Sequence, residues 1–323
     1  MTVLVTGAAG FIGMYVVRAL AARGERVLGV DNLNPYYSVS LKRARLAELG
    51  DCGGLYRFST CDIADRDGLQ AVVAGDRIDR IVHLAAQAGV RYSLENPQAY
   101  VHSNLTGHTT VLELARHLGT VDHLVYASSS SVYGGNTKLP FSETDRVDTP
   151  VSLYAATKKA DELISHTYAH LFGIAQTGLR FFTVYGPWGR PDMAYWMFTE
   201  ALFTGKPIRV FNHGDMKRDF TYIDDIVAGL LAALDHPPEG TPPHRIFNIG
   251  HNRPEPLLHM ISLLEQLTGR TANKQLEPMQ PGDIKETYAD IDALQRAVGF
   301  KPTTSLEEGL TKFVDWYRAY HRV

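Results

Sequence analysis

A tyrosine and a lysine lie four residues apart in the segment YAATK, at Tyr154 and Lys158. Because a helix brings positions i and i+4 to one face, both side chains would point the same way. A phenol has a reference pKa of about 10, so it accepts a proton near neutral pH only where a nearby cation favours the phenolate. Lys158 could supply that cation. The pair predicts a general base, although Tyr and Lys at this spacing are also common by chance.

Four serines follow the apolar run HLVYA, at Ser128–Ser131. The apolar run predicts a buried strand, and in parallel sheets ligands bind outside the carboxyl ends of the strands. These hydroxyl groups therefore lie where a ligand is expected. The alternative, that some of them only end the strand, stays open for Ser128, Ser130 and Ser131.

A glycine-rich turn, TGAAGFIG, follows the first apolar strand and opens a helix. Such glycines let backbone amides approach a pyrophosphate, and the helix N-terminus favours negative charge. The spacing is GxxGxxG rather than GxGxxG, so a bare turn is the alternative. The residues predicted to bind a dinucleotide here are Gly7, Gly10, Phe11, Ile12 and Gly13.

Two carboxylates end the second and third predicted strands. Asp31 is placed to accept hydrogen bonds from an adenosine ribose, and Asn32 follows it rather than an arginine suited to a 2′-phosphate, so NAD is favoured over NADP. Asp62 is placed to meet the adenine edge. Its alternative is an N-cap of the helical segment ADRDGLQA.

Composition excludes several classes of protein. The 323 residues carry a net charge of -3 and no basic block, so we expect neither a nucleic-acid nor a membrane partner. Two cysteines exclude a disulfide framework, and His166 and His170 lack a third ligand nearby in sequence, so no metal site is predicted.

The first strand leaves no room for a signal peptide and no apolar run is long enough to span a membrane, so a cytoplasmic protein is expected.

Short apolar runs alternate with helical patterns through the first half of the chain, with helices expected at about 11–22, 105–117 and 153–171. This alternation predicts an α/β fold of the Rossmann type, a doubly wound parallel sheet, with a smaller α/β C-terminal substrate domain. After Arg180 proline and glycine become frequent. We assign 1–179, together with about 219–250, to an NAD-binding domain, and 180–218 with 251–323 to a nucleotide-sugar-binding domain.

The segments TGAAGFIG, HLAA, SSSSVYG and YAATK occur in this order, and as a set they resemble the extended short-chain dehydrogenase/reductase family, specifically its NAD-dependent nucleotide-sugar epimerases. The resemblance covers nearly the whole chain. It implies that Tyr154 removes the proton from a sugar hydroxyl, Lys158 holds the ribose and favours the phenolate, and Ser129 bonds the same sugar oxygen. Further cofactor contacts that it implies are Ile63, Leu84, Ala85, Ala86 and Gln87, with Tyr154 and Lys158.

Dehydratase relatives place Asp-Glu, and decarboxylase relatives a Glu, where this chain has Ser130 and Ser131. A hydroxyl cannot perform the proton transfer of a carboxylate, but it can donate a hydrogen bond to a carboxylate on the substrate. The expected substrate is therefore an acidic sugar.

The segment RFFTVYGPWGRPDMA is similar to that of epimerases acting on UDP-glucuronate, and AAQAGVRYSLENP and DNLNPYY point to the same subgroup. The resemblance implies 4-epimerisation of UDP-glucuronic and UDP-galacturonic acid by transient C4 oxidation. Thr183 and Arg190 would meet the acid group, although Arg190 could also be a surface arginine. Arg218 would grip the diphosphate, Asp283 the nucleotide, and Arg91 would lie near the sugar.

Alternatives remain at this point. The chain could epimerise neutral or N-acetylated UDP-sugars, and a dehydratase or decarboxylase is disfavoured by Ser130 and Ser131.

The family commonly forms a homodimer by pairing the helix with YAATK and the helix before HLVYA, so a homodimer is expected.

Overall fold

Parallel strands and covering helices alternate along most of the chain in the computed structural model, which describes residues 1–279 and 284–323. The strands are β1 Thr2–Thr6, β2 Arg26–Asp31, β3 Tyr56–Thr60, β4 Arg80–His83, β5 His123–Ser129, β6 Gln176–Phe181, β7 Thr183–Tyr185, β8 Ile208–Val210, β9 Lys217–Tyr222, β10 His244–Ile249, β11 Pro254–Pro256, β12 Lys274–Leu276 and β13 Glu286–Thr287.

The α-helices lie between these strands. They are α1 Phe11–Ala22, α2 Val39–Leu49, α3 Arg66–Val73, α4 Tyr92–Glu95, α5 Pro97–Tyr100, α6 Gly107–Leu118, α7 Leu153–Phe172, α8 Ala194–Thr204, α9 Ile223–Asp235, α10 Leu257–Thr268, α11 Asp292–Val298 and α12 Leu306–His321. Short 3₁₀ helices span Ser130–Tyr133 and Phe211–Gly214, and a π-helical segment spans Val101–Thr106.

Seven of the described strands form one parallel sheet in the order β10-β6-β5-β4-β1-β2-β3. Its strands are apolar because helices cover both faces; Val3, Leu4 and Val5 of β1 are fully buried. The predicted doubly wound parallel sheet is confirmed. The strand order reverses between β1 and β4, and this switch point is where such sheets bind ligands.

Local sequence explains where the helices that face the ligand begin. Helix α1 begins at Phe11, directly after the glycine turn, and has the predicted bounds. Helix α7 begins after Ser152, whose hydroxyl oxygen accepts a hydrogen bond from the Ala155 amide and caps the first turn. The predicted helix at 105–117 differs, because a wider π turn precedes α6 and carries the buried Asn104.

A smaller sheet packs beside the large one and continues the chain after β6. In the described residues β9 is its centre, flanked by β11 and β13, and β7 also pairs with β9. The Asp219 carboxylate in β9 accepts hydrogen bonds from the backbone amides of His251, Asn252 and Ala289, which ties two later loops to this sheet. Burial raises the pKa of Asp219 to about 6.

The domain division of the sequence analysis stays a prediction. Strand β10, within the segment 219–250, lies in the large sheet beside β6. Strand β9, which the same segment includes from residue 219, lies in the small sheet.

Candidate active site

One cleft of about 960 Å³ opens at the carboxyl ends of β1, β4 and β5 and reaches the small sheet. This volume suits a dinucleotide or a nucleotide sugar better than a single small metabolite. The structure brings most of the predicted site residues together in its lining. These are Gly7, Gly10, Phe11, Ile12, Gly13, Asp31, Asn32, Ile63, Leu84, Ala85, Ala86, Gln87, Arg91, Ser129, Ser130, Ser131, Tyr154, Lys158, Thr183, Arg190 and Arg218.

The glycine turn forms one end of the cleft from backbone alone. Gly7 has φ +75°, and a Cβ there would lie 2.8 Å from the Ala85 amide nitrogen. A Cβ on Gly13 would overlap the Gly7 carbonyl oxygen, so α1 packs against the turn only because residue 13 is glycine. The turn and the helix N-terminus are therefore open to a pyrophosphate. The residues present fit the NAD that the sequence predicts.

Asp31 is buried at the edge of the cleft, and the backbone orients it. Its two carboxylate oxygens accept hydrogen bonds from the amides of Ala9 (3.2 Å) and Leu33 (2.8 Å). A carboxylate held in this way keeps a fixed direction, as recognition of ribose hydroxyls requires.

Asp62 is not in the cleft lining of the described residues. Its carboxylate accepts hydrogen bonds from the Ala64 amide and the Asn32 side chain, both at 2.9 Å. Although burial raises its pKa, these hydrogen bonds leave the pKa of Asp62 below its usual value. The alternative interpretation as an N-cap is wrong, because Asp65 caps α3; the adenine contact stays a prediction.

Tyr154 and Lys158 lie in the first two turns of α7, and both line the cleft. The Tyr154 ring meets the Tyr100 ring edge to face, with centroids 6.1 Å apart. The Lys158 ammonium forms an ion pair with Asp161, at 2.7 Å between Nζ and Oδ2. Sequence reasoning missed Asp161, although its spacing of three residues from Lys158 on a helix is a readable signal.

The serine run divides into two roles. Ser128 is buried, and its hydroxyl donates to Glu162 Oε1 at 2.7 Å, so it binds helix α7 to the sheet. All four serines contribute to the cleft lining. The Ser129 oxygen accepts hydrogen bonds from the Ser131 amide (3.2 Å) and the Ser131 hydroxyl (2.9 Å), so these two side chains are positioned together.

A buried network below the serines joins α7 to β6 and β10. Arg180 donates to both carboxylate oxygens of Glu162 at 2.8 and 2.9 Å, and to the Tyr133 hydroxyl at 3.0 Å. The Tyr133 hydroxyl donates to Asn248. Burial raises the pKa of Glu162, but the Arg180 guanidinium outweighs it and leaves this pKa lowered.

Two neutral histidines lie under helix α7. His83 at the end of β4 shares a hydrogen bond with Thr6, whose hydroxyl oxygen also accepts from the Ala85 amide in the cleft wall. The ring of His108 lies 5.2 Å from that of His83. Burial lowers the pKa of His108 to about 3 and that of His83 well below its usual value, and Lys158 adds to both shifts.

Asn104 links the loop after β4 to helix α7. Its side-chain oxygen accepts from the Gln87 amide at 2.8 Å, and its amide nitrogen donates to the Thr157 hydroxyl at 2.9 Å. It thus fixes the distance between this wall of the cleft and α7.

Arg190 faces the cleft from the loop after β7, paired with a residue that sequence reasoning missed. Its Nε and Nη2 donate to Asp192 at 3.0 and 2.6 Å, and Asp192 also accepts from the Tyr36 hydroxyl at 3.1 Å. Burial raises the pKa of Asp192, but Arg190 outweighs it and leaves this pKa lowered. Tyr36 and Asp192 lie in segments that the sequence analysis quoted, but nothing in their spacing indicated that their side chains bind each other.

A second arginine, Arg45 on α2, holds the backbone of this loop. It is fully buried and donates to the carbonyl oxygens of Trp188 and Gly189 at 2.8 Å each. The Trp188 ring packs against Trp316 of α12 at 5.2 Å. The arginine that faces the cleft is therefore carried by a packed loop.

The remaining predicted substrate residues lie around the far end of the cleft. The Arg91 guanidinium stacks on the Phe211 ring at 5.4 Å. Arg218 donates to the carbonyl oxygens of Lys217 and Lys285. Thr183 opens β7. Asp283 lies outside the described residues.

A model of the NAD dependent epimerase/dehydratase family matches residues 3–250. The chain belongs to this family. The predicted family and NAD dependence are thereby confirmed. UDP-glucuronate 4-epimerase 4 of Arabidopsis thaliana is 51% identical over 334 residues, covering 99% of this chain and 76% of the relative.

Solved structures of family members match the whole chain. The UDP-glucuronic acid 4-epimerase of Bacillus cereus, in complex with UDP-glucuronic acid and NAD, has a TM-score of 0.90 and 35% identity, covering 99% of this chain and 100% of that chain. The UDP-glucose 4-epimerase of Thermotoga maritima, with UDP-glucose, has a TM-score of 0.89 and 30% identity at the same coverage. The fold is thus shared by epimerases of acidic and neutral sugars.

Two absences hold for residues 1–279 and 284–323. No helix there is long and apolar enough to cross a membrane. No group of three or more metal-binding side chains gathers in this part of the chain.

Proposed function

We propose that this family member interconverts UDP-glucuronic acid and UDP-galacturonic acid at C4, with no net redox change. The observation that carries the proposal is the set of groups around Tyr154: an arginine, Arg190, faces the same cleft as the neutral hydroxyls of Ser130 and Ser131. The half-identical plant relative named a UDP-glucuronate 4-epimerase supports it.

NAD would be held by the glycine turn and by Asp31. When bound, it supplies the acceptor and then the donor of the C4 hydride. The open backbone at Gly7 and Gly13 would hold the pyrophosphate, and the oriented Asp31 carboxylate would hold the adenosine ribose.

The catalytic residues move and hold one proton. Tyr154 takes the proton of the C4 hydroxyl and returns it after the sugar has turned about its diphosphate linkage. Lys158, four residues further along α7, would favour the phenolate through its positive charge. Ser129, held by Ser131, donates to the same sugar oxygen.

The acid group of the sugar needs restraint as well as affinity. A sugar oxidised at C4 carries a carbonyl β to its carboxylate, and it loses CO₂ readily when the bond to the carboxylate aligns with the carbonyl π-system. Ser130, Ser131, Thr183 and Arg190 hold that carboxylate out of alignment. Because Asp192 accepts from Nε and Nη2 of Arg190, Nη1 would be the nitrogen that binds the acid group.

The diphosphate would be held by Arg218, and Arg91 lies near the sugar and nucleotide. A guanidinium binds phosphate oxygens in pairs, which fixes the linkage while the sugar turns.

The test is an NMR time course with purified protein and UDP-glucuronic acid, UDP-glucose and UDP-N-acetylglucosamine in parallel tubes. We expect the C4 proton signal of UDP-galacturonic acid to grow, with little pentose. Turnover of the neutral sugar alone would reassign the protein to the rival function, which the resemblance to the Thermotoga maritima enzyme keeps open. A 4-keto-6-deoxy product would show a dehydratase.

We also propose a cytoplasmic homodimer joined through α6 and α7. Leu163 and Leu171, eight residues apart on one side of α7, are 57% and 62% exposed, which is costly for a helix without a partner. Both cysteines are free, which is compatible with a reducing compartment. Light scattering of the wild type and of Leu163→Glu tests the dimer: a monomer only in the variant is expected, and a monomeric wild type would refute it.

A further inference from the structure

The cation of the catalytic pair has a buried counter-ion that the proposed mechanism does not use. Lys158 and Asp161 are 4% and 1% exposed at their side chains, and Nζ lies 2.7 Å from Oδ2. The other oxygen, Oδ1, is buried and has no hydrogen-bond partner among the described residues. An ionised oxygen without a partner is costly, so this carboxylate is not explained by stability alone.

The other titratable groups around this pair leave Asp161 as the neutralising charge. They are His83 on β4, His108 on α6, Tyr126 on β5, and Lys159, Glu162 and Tyr154 on α7. Tyr154 also faces Tyr100 on α5 and Arg190, whose charge is paired with Asp192. Burial lowers the pKa of both histidines and raises that of Tyr126, so these three are neutral. Glu162 is bound on both oxygens by Arg180, which lies on β6.

We propose that Asp161 is a positioning residue for the catalytic pair: it holds the Lys158 ammonium at the cleft and limits how strongly that charge acts on the Tyr154 phenol. The inference rests on the proposed role of Tyr154 as the base. Burial raises the pKa of Asp161 to about 6, while Lys158 opposes this shift. Asp161 is therefore ionised at pH 7 and above, where it offsets the charge of the lysine.

The decisive variant is Asp161→Asn, which keeps the shape and an acceptor oxygen for Lys158 but removes the charge. With the offset gone, the full lysine charge acts on the phenol, so Tyr154 should ionise at lower pH by about 0.5 to 1 unit. The measurement is the phenolate absorbance of NAD-loaded protein against pH without any sugar. Each protein is compared with its own Tyr154→Phe counterpart, which isolates Tyr154 from the other tyrosines.

The control is Glu239→Gln, which removes the same charge from an exposed position in the loop before β10. A shift to lower pH in Asp161→Asn and none in the control supports the proposal. An unchanged or higher titration midpoint, or the same shift in both variants, overturns it. If Asp161→Asn does not fold, Asp161→Ser gives the same readout with a smaller side chain.

The sugar specificity does not enter this experiment, because no sugar is present. If the protein does not act on UDP-glucuronic acid, the result of the titration is unaffected. A normal titration midpoint together with full epimerase activity would refute the role of Asp161 alone.

Discussion

The two walls of the cleft are built from different materials. The cofactor wall is backbone and small side chains at strand ends, with Gly7 and Ala85 so close that a Cβ between them would not fit. The sugar wall carries polar and charged side chains, among them Ser130 and Ser131 after β5 and the paired Arg190 and Asp192 on the loop after β7. We therefore expect shape to dominate cofactor binding, apart from the Asp31 carboxylate, and hydrogen bonds and charge to dominate sugar binding.

This difference predicts which substitutions should affect cofactor binding and which should affect the sugar. A shape-based wall fails when volume is added, and the failure does not depend on the sugar. A charge-based wall tolerates changes of volume and responds to loss of a donor. Tyr154 lies between the two walls, so its loss should stop turnover and leave both walls intact.

The largest effect is expected for Tyr154→Phe. Turnover of UDP-glucuronic acid should fall by about 10² to 10⁴-fold, because the variant has no group to take the proton. Bound NAD, released by acid and measured by absorbance, should stay at the wild-type amount. Full turnover in this variant would remove Tyr154 from the role of base.

The second effect is expected for Gly13→Ala, which adds a methyl group against the Gly7 carbonyl oxygen. Overpacking of about 1 to 3 kcal/mol should weaken NAD binding roughly ten- to a hundredfold. Calorimetric titration of NAD into apoprotein measures this. Gly135→Ala is the matched control, because Gly135 is exposed and a Cβ there meets nothing within 4 Å. Equal affinities in the two variants would contradict a shape-based wall.

The third effect is expected for Arg190→His on the sugar wall. The share of decarboxylated pentose in the product should rise several-fold, because the shorter side chain no longer restrains the acid group. NAD binding should not change. NMR integration of pentose against hexose signals is the measurement, with the exposed Arg253→His as control. An unchanged product ratio would remove Arg190 from this role.

The smallest effect concerns acid sensitivity beneath the cofactor wall. His108 has a pKa lowered to about 3 by burial, so the folded protein keeps it neutral while the unfolded chain protonates it below about pH 6.5. The free energy of unfolding should therefore decrease as the pH is lowered from about 6.5 to about 3. His108→Asn should make this pH dependence shallower by up to about 1.4 kcal/mol per pH unit. Urea unfolding at pH 7.5 and 5 measures it. The same change of slope in His170→Asn, an exposed position on α7, would show that burial is not the cause.

Much of the cofactor wall was predictable because its parts are contiguous. The turn at Gly7–Gly13 and helix α1 follow from a strand, a glycine turn and an apolar helical pattern that are adjacent in sequence. The Tyr154 and Lys158 pair follows from helical spacing in the same way. The division of the serine run did not follow, since it depends on Glu162, which lies 34 residues from Ser128.

By itself, then, the sequence determined the parallel sheet, the glycine turn, the helical spacing of Tyr154 and Lys158, and the family. The tertiary structure decided which polar groups meet: Asp192 is bound by Tyr36, 156 residues away, and the Ser128 hydroxyl donates to Glu162, 34 residues away. The physical reason is range. Backbone propensity and helical periodicity act over a few residues and can be read from a sequence, whereas a hydrogen bond such as that from Tyr36 to Asp192 depends on which distant segments the packed core brings together.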